Sequence, residues 1–168
     1  MRILLVGASG TIGKKIAVEL GGRHELLTAG RTSGAFRVDI TDPASIEALY
    51  EQTGPVDAVI SASGSGYFNT LATARDADFR RGINSKLMGQ VNLVLYGQEV
   101  VRDGGSFTLT SGVLADDPVR NGANLSLINS AINGFVLGAS IDLPRGLRIN
   151  AVSPGVVEDS PDLFPAFP

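Results

Sequence analysis

The chain contains no cysteine, which excludes a disulfide framework, a thiolate metal site and a cysteine nucleophile together. Its one histidine, His24, leaves no histidine metal cluster and no Ser-His-Asp triad to assemble, so no metal is expected. Basic residues number only 14, and lysine occurs just at Lys14, Lys15 and Lys86. They are scattered and form no stripe with interleaved aromatics, so nucleic acid is not expected as a partner. No stretch approaches the roughly 18 continuous apolar residues of a membrane span. The opening run, MRILLVGASG, is too short and too glycine-broken for a secretory leader. These absences point to a cytoplasmic chain with no membrane partner.

What is present is glycine, 21 residues of it, in a chain of 168 that is 43% hydrophobic and 18% charged. That mixture suits one compact α/β domain, residues 1–168, with many tight turns. Short apolar strands alternate with helical segments. Strands are predicted over Ile3–Val6, Leu26–Ala29, Phe36–Ile40, Val56–Ala62, Ser106–Thr110 and Leu147–Val152. Helices are predicted over Thr11–Leu20, from Asp42-Pro43 to Tyr50, over Ile83–Val101 and over Ala123–Leu143. Asp42 is placed to cap the second helix, with proline at its first position. Gly64 to Arg81 reads as a looser stretch, and Ser160 to Pro168, rich in proline, as irregular. Strands alternating with helices imply right-handed crossovers and a parallel sheet covered on both faces.

The segment LLVGASGTIGKKIA sets Gly7, Gly10 and Gly13 between the first strand and the first helix. Small residues there let the chain turn tightly, bring its backbone to a pyrophosphate and pack the helix close to the sheet. The phosphates would meet the free N–H groups of the helix that starts near Thr11. The spacing is G-x-x-G-x-x-G, not the commoner G-x-G-x-x-G. The end of the second strand reads TAGRTSG. A carboxylate there would bind a free ribose hydroxyl; Arg31, with Thr32 and Ser33 beside it, instead matches a 2′-phosphate, which favours NADP(H).

By these residues the chain resembles the short-chain dehydrogenase/reductase family along nearly its whole length. GASGTIG is similar to the glycine segment of atypical and extended members. Asp39-Ile40 in FRVDITD resembles the pair that contacts adenine, and Ser61-Ala62-Ser63-Gly64 stands where the family has Asn-Ala-Gly. Pro154-Gly155 in INAVSPG is similar to the turn beside the nicotinamide. The stretch from SKLMGQVNLV to GSFTLTSG further resembles a small bacterial subgroup of the family. The resemblance implies a Rossmann-type, doubly wound sheet in three layers, strand order 3-2-1-4-5-6. The family's seventh strand lies beyond this sequence, so the sixth is expected at an open edge unless something covers it. It also implies an NADP(H) site built from Gly7, Ser9, Gly10, Thr11, Ile12, Gly13, Arg31, Thr32, Ser33, Asp39, Ile40, Ser61, Ala62, Ser63, Gly64, Lys86, Pro154 and Gly155. Self-assembly, as a homodimer or homotetramer, would use the two long helices.

The family's catalytic pattern is a serine followed by Tyr-x-x-x-Lys. Set against it, GANLSLINSAINGF puts Leu125 at the tyrosine and Asn129 at the lysine, and the serine position falls at Ser111 or Gly112. The usual proton relay is therefore expected to be missing. Lys86, three residues before Gly89, stands where the family carries an asparagine, so Lys86 and Asn129 exchange the two residue types between neighbouring helices. Lys86 is thus either a cation aimed at the nicotinamide end or a solvated helix lysine. Ser111 and Lys86 are the candidate catalytic residues, with water as a possible proton source. Tyr67 is expected to pack over its loop, Tyr96 to be buried packing and His24 to lie at the surface. Ser126 and Ser130 fall near the expected nicotinamide pocket. The expected function is an NADP(H)-dependent oxidoreductase acting on a small carbonyl or alcohol; the alternative is a non-catalytic NADP(H)-binding sensor or interaction protein.

Overall fold

The structure, a computed structural model, describes residues 1–160; the irregular tail expected beyond Ser160 lies outside them. Six strands run in parallel in the order β3-β2-β1-β4-β5-β6, as the resemblance implies. They are β1 (Arg2–Val6), β2 (Glu25–Gly30), β3 (Phe36–Arg37), β4 (Val56–Ser61), β5 (Val101–Thr110) and β6 (Arg148–Val152). The helices are α1 (Thr11–Gly21), α2 (Pro43–Thr53), α3 (Asp76–Gly82), α4 (Gly89–Gly97) and α5 (Ala123–Ala139). Parallel strands need crossovers, and the helices that supply them cover the sheet. The central strands read as continuous apolar runs for that reason. Leu4, Val6, Val59, Phe107 and Leu109 are buried in one cluster with Ile46 and Leu49 of α2, Leu93 of α4 and Ile128 and Ile132 of α5.

Asp42 caps α2 as expected, its side chain accepting from the Ala44 N–H at 3.1 Å. Other boundaries move. β3 keeps two residues of the five predicted, because Val38 and Ile40 turn inward into the core while the Asp39 N–H donates to Ser45 Oγ. β5 begins at Val101, five residues early: Val56 pairs with Val101 and Ala58 with Ser106, so Arg102–Gly105 bulges out of register around Gly104. The third long helix begins at Asp76, inside the stretch predicted to be loose, and runs through Ile83–Met88 as a π-helical segment into α4. α5 ends at Ala139 rather than Leu143.

His24 differs from expectation as well. It is half-buried, and its Nδ1 is enclosed with no hydrogen-bond partner among the described residues. β6 pairs only with β5 among the described residues, leaving its far edge open there. No helix of the described residues is long and apolar enough to cross a membrane.

Candidate functional site

Two hollows open at the carboxyl ends of the strands and share a rim at Ser63 and Gly64. This is where a doubly wound sheet reverses its winding and binds ligands. The first hollow is lined by Gly7 and Ser9 from the β1–α1 turn, Arg31 and Thr32 after β2, and Asp39 and Ile40 after β3. Gly7 has φ +90, and a Cβ there would lie 2.4 Å from the Ala62 oxygen, so no other residue makes this turn. A Cβ on Gly13 would meet the same turn at 2.0 Å from the Gly7 oxygen. Gly10 is the N-cap of α1 and offers no side chain to its first N–H groups. A helix N-terminus left without a side-chain cap in this way suits a phosphate. Arg31 and Thr32 are exposed at the mouth of the hollow. Ser33 lies beneath Gly30 and is not part of the lining. Thr41 donates to Asp39 from both its hydroxyl, 2.7 Å, and its N–H, 2.9 Å. These bonds, with the charge of Arg31, hold the Asp39 carboxyl below its ordinary value.

The second hollow has mostly apolar walls: Ile12, Phe68, Val113, Leu114, Leu125, Pro154 and Val156. Ala62, Gly112 and Gly155 complete part of its rim. Thr11 and Ile12 face a third hollow with Lys15 and Val156–Asp159, and Lys15 pairs with Asp159 at 2.8 Å. Lys86 stands in the second hollow. The six-residue π segment carries it, a rare geometry that recurs at functional sites. Its Nζ donates to the Ser111 backbone oxygen and to Asn129 Oδ1, both at 2.8 Å. Of the two expectations for Lys86, the solvated helix lysine is therefore not what the structure shows. Gly64, at φ +100, makes room for it, since a Cβ there would lie 2.6 Å from the Lys86 Cα. Burial lowers the ammonium to about 8, because a dry environment disfavours the charged form.

The structure brings Ser111, Asn129 and Lys86 together but gives Ser111 a different task from the one expected. Ser111 is 1% exposed, and its hydroxyl donates to the Asn129 oxygen at 3.0 Å. Ser61 is fully buried; its hydroxyl shares a bond with Ser63 Oγ at 2.9 Å, and its carbonyl accepts from Thr110 Oγ1 at 2.6 Å. Leu125 packs against the Gly66 backbone. Tyr67 lies under the Arg81 guanidinium of α3, 3.9 Å from ring centre, and Tyr96 is partly buried against the core, as anticipated for Tyr96. Ser126 lines a separate hollow with Thr70 and Val119, and Ser130 is exposed, so neither reaches the second hollow.

Sequence reasoning missed Gln90. It is fully buried, donates to the Lys86 oxygen at 3.1 Å and the Thr110 oxygen at 2.9 Å, and accepts from the Thr110 N–H at 2.8 Å. The signal was available: in GQVNLVLYG a glutamine shares helical spacing with Leu93, Val94 and Gly97, all core residues.

Known proteins resemble the chain in both sequence and shape. A family model described as enoyl-(acyl carrier protein) reductase matches residues 12–161. The solved structure of protein lin1944 from Listeria innocua superposes with a TM-score of 0.97 at 48% identity, covering 99% of this chain and 84% of that one. A small-chain dehydrogenase solved in complex with NADPH has a TM-score of 0.86 at 26% identity, covering 98% and 78%. Among curated proteins, the hydroxynaphthalene reductase-like protein Arp2 of Metarhizium brunneum is 27% identical over 92% of this chain and 67% of its own length. The fold defines a protein of the doubly wound α/β class, with hollows at the carboxyl ends of its strands. The chain belongs to the short-chain dehydrogenase/reductase family.

Proposed function

We propose that the protein is an NADP(H)-dependent oxidoreductase that transfers a hydride to or from a small carbonyl or alcohol, and that it works as a homo-oligomer. The observation that carries this reading is the pair of joined hollows, with Arg31 at the far end of one and Lys86 in the other. A similar protein has been solved with NADPH. The residues present fit such a cofactor. Gly7, Ser9 and the free N–H groups of α1 would take the pyrophosphate, Arg31 with Thr32 the 2′-phosphate, and Asp39-Ile40 the adenine side. Ser63, Gly64 and Pro154-Gly155 would border the nicotinamide end. When bound, the nicotinamide supplies or accepts the hydride. The chain's own part is to bind, orient and exclude water. The largely apolar walls of the second hollow limit water around a bound substrate, and Lys86 sets a positive charge where charge develops on a substrate oxygen. Ser111 contributes by holding Lys86 and Asn129.

Fluorescence titration with NADPH and NADH tests the cofactor. NADPH should bind at least tenfold more tightly. Arg31→Asp should weaken NADPH by about 10- to 100-fold, the worth of a charge-assisted bond to phosphate, and leave NADH nearly unchanged. Equal affinities in the wild type would overturn the assignment. One observation favours a second reading, a non-catalytic NADP(H)-binding sensor or interaction protein: no tyrosine lines the second hollow among the described residues. NADPH oxidation in the presence of a carbonyl separates the two readings.

A further inference from the structure

Every reduction of a carbonyl needs an acid as well as a hydride, and the walls of the second hollow narrow the choice of acid. Its described lining holds no Tyr, His, Asp, Glu or Arg. Its three hydroxyls are engaged inside the protein, Ser111 on the Asn129 oxygen, Thr110 on the Ser61 oxygen and Ser63 sharing a hydrogen bond with the buried Ser61 hydroxyl, and none is an acid near neutral pH. Of the three tyrosines, Tyr50 is buried beneath α4 with its hydroxyl on the Leu93 oxygen, Tyr67 stacks under Arg81, and Tyr96 packs on the core. The Lys86 ammonium carries three N–H donors, and two have acceptors, the Ser111 oxygen and Asn129 Oδ1. The third has none among the described residues, on a side chain that lines the hollow.

We propose that Lys86 is the proton donor of this site, giving its third N–H proton to the substrate oxygen during carbonyl reduction. The proposal rests on the oxidoreductase reading above. The balance closes without a further reactant. The carbonyl carbon takes a hydride from the reduced nicotinamide, which becomes the oxidised pyridinium. The C=O π pair moves onto oxygen, and that oxygen takes one proton from Lys86 Nζ. The neutral amine keeps two N–H donors for the Ser111 oxygen and Asn129 Oδ1 and regains a proton from solvent. In the oxidative direction the neutral amine is the base.

A donor is effective when its acidity lies near the working pH, and the burial that draws the Lys86 ammonium down to about 8 puts it there. No other titratable or charged group lines the hollow among the described residues. None is presented to the hollow by α1, the loop after β4, the end of β5, α5 or the Pro154 turn. The charges of the same helical run pair among themselves, Arg80 with Asp76 and Arg81 with Asp78.

Three measurements test this. Because the chain has only three lysines, protein labelled with ¹³C at lysine alone yields three Cε signals, which Lys86→Arg assigns. The Lys86 signal should titrate near 8; titration at 10 or above overturns the proposal. Lys86→Arg and Lys86→Met should keep NADPH affinity by fluorescence within about threefold. Loss of that affinity would make Lys86 a cofactor anchor and overturn the proposal. With 9,10-phenanthrenequinone as the probe carbonyl, wild-type NADPH oxidation should fall about tenfold per pH unit above 8. Both variants should lose about 100-fold or more at pH 7, since arginine keeps the charge but does not release its proton. A flat profile, or a Lys86→Arg variant as fast as wild type, refutes Lys86 as the acid while leaving the oxidoreductase reading intact. A wild type that binds no NADPH, or oxidises none with the probe, refutes that reading, and the proposal falls with it.

Discussion

Lys86 is held at a cost that varies with pH, and this makes a single residue measurable in the stability of the whole protein. Its folded value, about 8, lies below the 10.5 of an exposed lysine. Between those values the unfolded chain binds more protons than the folded one, so stability rises with pH across that window. Below 8 both states are protonated and the cost is present in full; above 10.5 it is gone. Urea unfolding of wild type and Lys86→Met should therefore diverge with pH. The wild type should gain a few kcal/mol relative to the variant between pH 8 and 10.5, at about 1.4 kcal/mol for each pH unit crossed. A difference that stays constant from pH 7 to 10 would show the amine to be as exposed as Lys14. At this scale the sequence was partly legible. Gly7 declares itself by position, because a turn at φ +90 against the Ala62 oxygen demands glycine. Ser111 did not, since nothing in LTSG says whether its hydroxyl faces a ligand or the Asn129 oxygen.

Elements were legible where periodicity was strong and illegible where one element bends into another. The core of β1, β4 and α5 follows from apolar spacing alone. The early start of β5 does not, because the bulge around Gly104 hides strand residues inside what reads as a turn. The π segment is equally silent in sequence, yet it turns Lys86 into the hollow, and Gln90 braces that turn against the end of β5. Gln90→Leu keeps the volume and strips three hydrogen bonds, leaving the N–H and carbonyl of half-buried Thr110 without that partner. Each unmet buried group costs about 1–3 kcal/mol, so the melting temperature should fall by several degrees or more. The Lys86 signal should move toward that of an exposed lysine. Calorimetry and the lysine spectrum check both, and an unchanged pair of readings would dismiss the brace.

For the whole molecule, the strand order places Arg31 and Lys86 on the same side of the sheet although they enter from different strands and helices. The outer faces of α4 and α5 are less self-sufficient: Leu95 and Leu137 are exposed, and Ile141 just beyond α5 is 90% exposed. Contiguous apolar residues left in water mark contact surfaces. The homo-oligomer proposed above would bury them. Leu137→Glu combined with Ile141→Glu should lower the sedimentation coefficient to that of a monomer while circular dichroism stays native; an unchanged coefficient would move the contact elsewhere. Lys86 and Asn129 meet from helical segments 43 residues apart in sequence, and their contact constrains how the chain can change. Replacing Asn129 alone by lysine sets two cations against each other in a largely apolar hollow, whereas replacing Lys86 alone by asparagine leaves no cation there. The two positions are thus bound in sign epistasis, and reversing their order takes a path through an intermediate worse than either end.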